Sequence, residues 1–401
     1  VKELRFREMI IPQANRLNQV KEYYFSTKLQ EIREMEQQGI RVLNLGIGNP
    51  DLAPSVNTVK TLSEAAIGKG NHGYQSYRGV LPLRKAIANW YQKTYKVALN
   101  AESEILPLMG SKEGIMHISM AFLNPGDEVL VPNPGYPTYG AVSNLLGAKI
   151  RTYNLTENNN WEIDIQQLEQ SDLSKVKLMW INYPHMPTGT KASDELLEQL
   201  IALAKKHQFL ICNDNPYSLI LNSKPKSILS YEGANEVAIE LNSLSKSHNM
   251  AGWRMGWVAG AEAYIDTILK VKSNMDSGMF LPMQRAAIEA LNNTKQWHLE
   301  QNNVYKHRRN YVWEIMDILE CTYDKNQVGL FVWAKVPEHV SDVETFLDEL
   351  LHEAHVFITP GFIFGSNGER YIRASLCNKV EILKEAILRV KCFETAKKKL
   401  V

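Results

Sequence analysis

Lys246 stands in the run Ser243-Leu-Ser-Lys-Ser-His-Asn-Met-Ala-Gly-Trp-Arg-Met-Gly256, just past an apolar stretch that reads as a buried strand. A lysine among small polar residues at a strand end is partly desolvated, which lowers its pKa and makes its amine a usable nucleophile. Ser243 and Arg254 flank it with a hydroxyl and a guanidinium fork, a pair that suits a phosphate. A second group is Asp214-Asn-Pro-Tyr217, at the end of the apolar run 209–212. A carboxylate there suits an aromatic ring nitrogen that must stay protonated so that the ring can act as an electron sink, and Tyr217 suits a phenolic oxygen on the same ring.

Three weaker signals accompany these. Gly110-Ser-Lys-Glu-Gly114 lies between a strand and a helix, where free backbone N–H groups, with Ser111 and Lys112, favour a phosphate. Tyr136, in Asn133-Pro-Gly-Tyr-Pro-Thr138, is placed to stack on a planar ligand. Arg373, in Tyr371-Ile-Arg-Ala-Ser-Leu376, is a strand arginine suited to clamping a carboxylate. Each alone has an ordinary counterpart: a surface lysine beside a loop arginine, a turn, a packed loop tyrosine, a strand salt bridge. Their order and spacing together set them apart.

The elements that must position them alternate. Residues 17–38 read as a helix leading to a short strand at 42–45 and a turn-rich stretch, Gly46-Ile-Gly-Asn-Pro-Asp51. Strand-like runs fall at 105–109, 128–131 (broken by Pro132 onward), 148–153, 177–182, 209–212 and 236–241, with helix-like runs between them. Ser193-Asp194 can cap a helix with Leu196, Leu197, Leu200, Ile201 and Ala204 on one face. This alternation implies an α/β fold with a mostly parallel sheet, whose ligands sit beyond the carboxyl ends of the strands. Ser111, Asp214 and Ser243 fall at such ends. From about 286 onward a smaller α+β unit is expected, with a capping box Ser341-x-x-Glu344, strands at 356–359 and 370–373, and a last helix carrying Leu383, Ile387 and Val390.

Composition sets the outer bounds. The 401 residues are 44% hydrophobic and 22% charged, with 45 basic against 44 acidic side chains, a net charge of +1. The length favours two domains, and no basic field is available for nucleic acid or anionic lipid. Four scattered cysteines without a C-x-x-C pair point to reduced thiols in a cytoplasm. No apolar run is long enough to span a membrane, and no signal peptide is visible. No metal site is expected either: His352-Glu-Ala-His355 has a spacing of three where the zinc pattern has four. Gly46-x-Gly48 lacks the third glycine of a dinucleotide fingerprint.

Taken together, the motifs resemble fold-type-I pyridoxal-phosphate enzymes, specifically class I/II aminotransferases, over almost the whole chain. Lys246, with Arg254 eight residues later, looks like the family's S-x-S-K…G-x-R-x-G motif, and Asp214 with Tyr217 like its D-x-x-Y. Tyr74-Gln-Ser-Tyr-Arg-Gly79, followed by Leu83-Arg84, is similar to its Y-x-x-x-x-G-x-x-x-L-R segment, whose tyrosine reaches the cofactor phosphate of the neighbouring subunit. Gly48-Asn-Pro-Asp51 is similar to its G-x-P-D loop, whose glycine lies beside the substrate carboxylate, and Arg373 falls where its carboxylate-binding arginine falls.

The resemblance implies a large domain (48–285) with a seven-stranded, mostly parallel sheet, a small domain (1–47 and 286–401), and a homodimer with shared active sites. It implies pyridoxal 5'-phosphate held as an imine on Lys246, with Ser111, Lys112, Tyr136, Asn182, Asp214, Tyr217, Ser243, Arg254 and the partner's Tyr74 around it, and Gly48 and Arg373 on the substrate. It implies biosynthetic amino-group exchange between an L-amino acid and a 2-oxo acid. Tyr23-Tyr-Phe and the stretch Gly39–Asp51 look most like aspartate- and diaminopimelate-type members, with 2-oxoglutarate as acceptor. No second arginine for a side-chain carboxylate is evident; Arg16 is one candidate. The alternatives are a C–S lyase on the same fold and a non-catalytic aminotransferase-like binding module. One position departs from the pattern: Met186 stands where the family's N-P-T-G loop has asparagine, before an intact Pro187-Thr-Gly189. A thioether cannot donate a hydrogen bond to the ring's phenolic oxygen, which leaves Tyr217, with Asn182, His185 or water, to do so. The expected consequence is a raised imine pKa.

Overall fold

The computed structural model describes residues 10–19 and 24–400. Strand β1 (Leu43–Asn44) precedes seven strands of a main sheet: β2 (Ile105–Leu108), β3 (Glu128–Asn133), β4 (Lys149–Asn154), β5 (Val176–Ile181), β6 (Leu210–Asp214), β7 (Ala238–Ser243) and β8 (Gly256–Gly260). Then follow β9 (Thr322–Tyr323), β10 (Phe331–Lys335), β11 (Val356–Phe357), β12 (Thr359–Pro360) and β13 (Tyr371–Ser375). The main sheet runs β2-β8-β7-β6-β5-β3-β4. Five of its strands, from β7 to β4, are mutually parallel, and β8 runs antiparallel between β7 and β2.

Side chains alternate across this sheet as a period of two requires. Leu178, Trp180 and Cys212 pack under Ile115 and Ile118 of the helix Ser111–Phe122. Met179, Ile181 and Ile211 pack on the opposite layer, against Leu196, Leu197, Leu200 and Ile201 of the helix Asp194–His207. Ser193 caps that helix as its sequence suggests, its Oγ accepting from Leu196 N at 3.2 Å. Both faces are therefore covered, as a parallel sheet needs.

A smaller four-stranded sheet, β12-β13-β10-β9, gathers its own core with the helices Lys295–Ile318, Val343–Ala354 and Val380–Leu400. The N-terminal segment joins it: β1 pairs in parallel with β11, and Phe25, Ile32 and Met35 of the helix Tyr24–Gln37 pack with Leu351 and Phe357.

Local expectations and structure part in several places, among them the expected strand 236–241, whose first two residues are helical, and the expected strand 356–359, which is two strands in different sheets. The predicted helix 17–38 is a 3-10 turn at Asn15–Gln19 and an α-helix from Tyr24, with residues 20–23 outside the described set. Strand β3 continues through Pro132 to Asn133, because its parallel neighbour β4 stays paired with it to the end, Pro132 opposite Tyr153 and Asn133 opposite Asn154. The cap of Val343–Ala354 is Asp342, not Ser341: its carboxylate accepts from Glu344 N at 3.1 Å and from Thr345 Oγ1 at 2.5 Å. Strand β8 carried no separate sequence signal, being short and bounded by Gly256 and Gly260.

Candidate active site

A cavity of about 610 Å³ opens at the carboxyl ends of the parallel strands, where the small sheet and the N-terminal helix close over the main sheet. Eleven of the twelve residues singled out from sequence line it: Gly48, Ser111, Lys112, Tyr136, Asn182, Asp214, Tyr217, Ser243, Lys246, Arg254 and Arg373. Tyr74 does not. It is 92% exposed, in the loop before the helix Leu81–Tyr95.

Lys246 sits in the single helical turn Leu244–Ser247 that β7 runs into. Its Nζ donates to the carbonyl of Gly48 at 2.7 Å. Burial lowers its pKa from the usual lysine value, and the Arg373 and Arg254 cations add to this; only the thiolate form of Cys377 would oppose it. An amine so placed sheds its proton more readily than a surface lysine.

Asp214 closes β6. Its Oδ2 accepts from the hydroxyl of Tyr139 at 2.9 Å, whereas its Oδ1 is buried with no partner among the described residues. Burial raises this carboxyl to about 6, against the Tyr139 hydrogen bond. Tyr139 is in turn held by stacking on Trp180, with ring centroids 5.0 Å apart.

One end of the cavity is built for an anion. The helix Ser111–Phe122 starts after Gly110 with no side chain capping its first N–H groups, and Lys112 and Arg254 stand beside it. Gly110 has φ +90°, and a Cβ there would fall 2.1 Å from Nη2 of Arg254. Arg254 is itself left-handed, with Nη1 donating to Ala251 O at 2.9 Å. The Ser243 hydroxyl lies 2.8 Å from Oγ of Ser245 and 3.1 Å from Met255 O, so it braces the turn that holds Ser245 at the cavity wall.

Arg373 comes from β13 at the other end. Its guanidinium lies 3.9 Å from the ring centroid of Phe331 and 4.6 Å from that of Phe364, and donates to Gly46 O at 3.0 Å and towards Met186 Sδ at 3.1 Å. The thioether thus takes up one arm of the arginine. Asn182 spends its amide on the carbonyl of Asp214 and its Oδ1 on Met186 N (2.8 Å). His185 pairs with Thr188 Oγ1 at 2.8 Å, and burial takes its imidazole down to about 3. The hydroxyl of Tyr217, at the cavity wall, makes no hydrogen bond among the described residues. Its ring lies edge-on to Phe331, 6.0 Å away.

Tyr139, Phe331 and Phe364 were not legible as site residues. Tyr139 alone left a trace, lying three residues beyond Tyr136 in the same motif. Arg16 is exposed and does not line the cavity, and Tyr23 lies outside the described residues. Elsewhere, Glu113, His117 and Asp276 bring metal-type donor atoms within 4.8 Å of one another. The buried Lys272 ammonium, 2.7 Å from Asp276, already supplies a cation there.

The donor set fits pyridoxal phosphate: a buried carboxylate oxygen without a partner for a protonated ring nitrogen, an amine for the aldehyde, and an uncapped helix start with cations for the phosphate. Comparisons with known proteins agree. The family described as aminotransferase class I and II matches residues 40–390. An LL-diaminopimelate aminotransferase of Maridesulfovibrio salexigens is 39% identical over 94% of this chain and 98% of its own length. One from Aquifex aeolicus is 38% identical, again over 94% and 98%. Among solved structures, substrate-bound BacF from Bacillus subtilis superposes with a TM-score of 0.91 at 36% identity, covering 96% of this chain and 98% of BacF. An aminotransferase from Staphylococcus aureus gives 0.86 at 31%, covering 96% and 99%.

Proposed function

The chain belongs to the class I and II aminotransferases, which use pyridoxal 5'-phosphate, and on that premise we propose that it moves an amino group from an aspartate- or diaminopimelate-type L-amino acid to 2-oxoglutarate, with Lys246 as the amine that carries the cofactor. The observation that carries this reading is the meeting, in one cavity, of a buried lysine amine and a buried carboxylate oxygen without a partner. The diaminopimelate-type donor is supported by relatives of that name at 38–39% identity over nearly the whole chain.

When bound, the cofactor supplies a protonated aromatic ring that takes up the electron pair left as a Cα–H bond breaks. This chain's residues do the rest. Asp214 Oδ1 holds the proton on the ring nitrogen. Ser111 N–H, Lys112, Ser245 and Arg254 hold the phosphate. Arg373 grips the α-carboxylate, and the faces of Phe331 and Phe364 beside it exclude water, which strengthens that grip. Lys246 Nζ removes the proton from the substrate Cα, and its lowered pKa keeps a larger share of it neutral for that task.

We read the working unit as a homodimer. Tyr74, Val56 and Ile67 are 92, 82 and 81% exposed, and His72, near Tyr74, lies 6.1 Å from the half-exposed ring of Phe280. The helix Val56–Ile67 packs along Leu281–Leu291, so these residues share one side of the chain. That apolar side suits a second copy, whose cavity Tyr74 would complete. The free cysteines fit a cytoplasmic setting.

The absorption spectrum tests the reading. A band at about 360–430 nm that Lys246→Ala abolishes is expected. Its conversion to a band at about 330 nm by diaminopimelate, aspartate or glutamate would rank the donors. A protein that takes up no colour with added pyridoxal phosphate would overturn the assignment of Lys246, and pyruvate release from cystathionine would favour the lyase alternative.

A further inference from the structure

The loop 46–53 crosses the cavity and is held at several points, its start also by Thr359 Oγ1, which donates to Gly46 O at 3.0 Å, and by Asn44 Oδ1, which accepts from Gly46 N and Ile47 N. Gly46 O accepts from Arg373 at 3.0 Å and Gly48 O from Lys246 at 2.7 Å. Ala53 O accepts from Asn249 Nδ2 at 3.1 Å. Between them, Asp51 is gripped by Arg308 through two parallel bonds, Nη1 to Oδ1 at 2.6 Å and Nη2 to Oδ2 at 2.8 Å. Arg308 lies on the helix Lys295–Ile318, with 4% of its side chain exposed against 24% for Asp51. Its Nη1 also donates to Leu376 O at 3.2 Å, one residue before Cys377, whose thiol faces Lys246.

We propose that Arg308 is a positioning residue for Lys246, acting through Asp51 and the carbonyl of Gly48; this rests on the reading of Lys246 as the reactive amine. Only Asn49 and Pro50 separate Gly48 from Asp51, and the proline ring fixes φ at one of them. The loop has little slack on its inner side: a Cβ at Gly48 would fall 2.1 Å from Cζ of Phe331. A shift of the Asp51 carboxylate therefore moves the Gly48 carbonyl. That carbonyl is the acceptor that holds Nζ whenever the amine is free, the state in which it must reach the substrate Cα. Two fork bonds define the position of the carboxylate, and a lysine ammonium cannot reproduce them.

The groups facing Lys246 are Cys377, Arg373 and Arg254. Arg308 is not one of them, so its influence on the amine runs through the backbone and not through its charge. Arg308 and Asp51 both bear on Cys377, with opposite signs, but burial pushes that thiol up to about 11 and leaves it neutral in the working range.

The test compares Arg308→Lys and Asp51→Asn with the parent protein. In the cofactor-free protein, the rate at which Lys246 is reductively methylated is followed against pH by peptide mass spectrometry. In the loaded protein, kcat and KM are measured separately, with the melting temperature recorded for all. Losing the Gly48 acceptor disfavours the ammonium, so the methylation midpoint is expected to move to lower pH. The released amine is misplaced, so kcat is expected to fall by about tenfold or more with KM within about threefold. The double variant should be no worse than either single one. A folded Arg308→Lys protein with the parent midpoint and kcat overturns the proposal; so does a lower melting temperature with both unchanged, which marks a tie between helix and loop and nothing more. If Arg308→Lys does not fold, Asp51→Asn, nearly identical in shape, decides by the same criteria. Failure of the underlying reading looks different: the parent's Lys246 carries no cofactor, while the methylation profiles still report whether the clamp acts on the amine.

Discussion

At the scale of single residues, Asp214 ties the chemistry to stability. Its carboxyl, raised by burial to about 6, binds its proton more tightly in the fold than in the unfolded chain. In the cofactor-free protein this contribution is complete below the unfolded value of 3.8 and is lost as pH rises through about 6, on the order of 3 kcal/mol in all. A protonated ring nitrogen at Oδ1 favours the anion and removes that loss. The gap in melting temperature between loaded and cofactor-free protein should therefore widen from about pH 5 to pH 8, and Asp214→Asn should flatten it. Glu240, raised by burial to about 7, titrates in both forms and drops out of the difference. A gap independent of pH in the parent protein would separate Asp214 from the ring nitrogen. Met186 makes the second prediction at this scale. Asparagine there restores a donor to the ring oxygen and an amide acceptor to Arg373, so Met186→Asn should lower the pH midpoint of the cofactor's visible band; an unmoved midpoint would leave Tyr217 as the only group that sets it.

At the scale of elements, the site is a set of strand ends. Gly110 joins β2 to the helix Ser111–Phe122 with φ +90° and lies under the guanidinium of Arg254. Gly110→Ala strains the turn and pushes Arg254 out of the phosphate end, so weaker cofactor retention is expected, by about tenfold or more, as measured by dialysis against phosphate buffer; unchanged retention would show that the phosphate end does not depend on this contact. Residues announced by local chemistry were legible from sequence: Lys246, Asp214 and Ser111 stand where an apolar run stops. The parallel strands were legible for the same reason, since each is an apolar run bounded by turns. Strand β8 was not, because its identity comes from lying between β7 and β2, a fact of pairing and not of pattern. Phe331, Phe364 and Arg308 escaped notice likewise. They come from elements far along the chain, and only packing brings the two rings to the cavity and Arg308 to Asp51. The cap at Asp342 shows the limit of motif spacing, since two adjacent residues could each cap and the carboxylate, reaching two donors, took the place.

At the scale of the whole molecule, Tyr74 is exposed and does not line the active-site cavity of its own chain. If it completes a neighbour's, two different defects can be sorted into one good site. Mixing Lys246→Ala with Tyr74→Ala chains under subunit exchange should restore activity above either variant alone, because one of the two cavities then has both residues intact. No recovery, with exchange confirmed by mass spectrometry, would leave Tyr74 outside the neighbour's site.

The cavity's residues are also ordered along the direction of synthesis, with Gly260, the end of β8, as the divide. Every residue of the phosphate end, with Asp214, Tyr217 and Lys246, precedes Gly260, whereas Phe331, Phe364 and Arg373 all follow it. On the proposed reading of the site, a nascent chain thus holds the residues for its cofactor before it has Arg373, the arginine that would grip the α-carboxylate. If Lys246 carries the cofactor as proposed, the aldehyde would be sequestered there while Arg373 has yet to leave the ribosome.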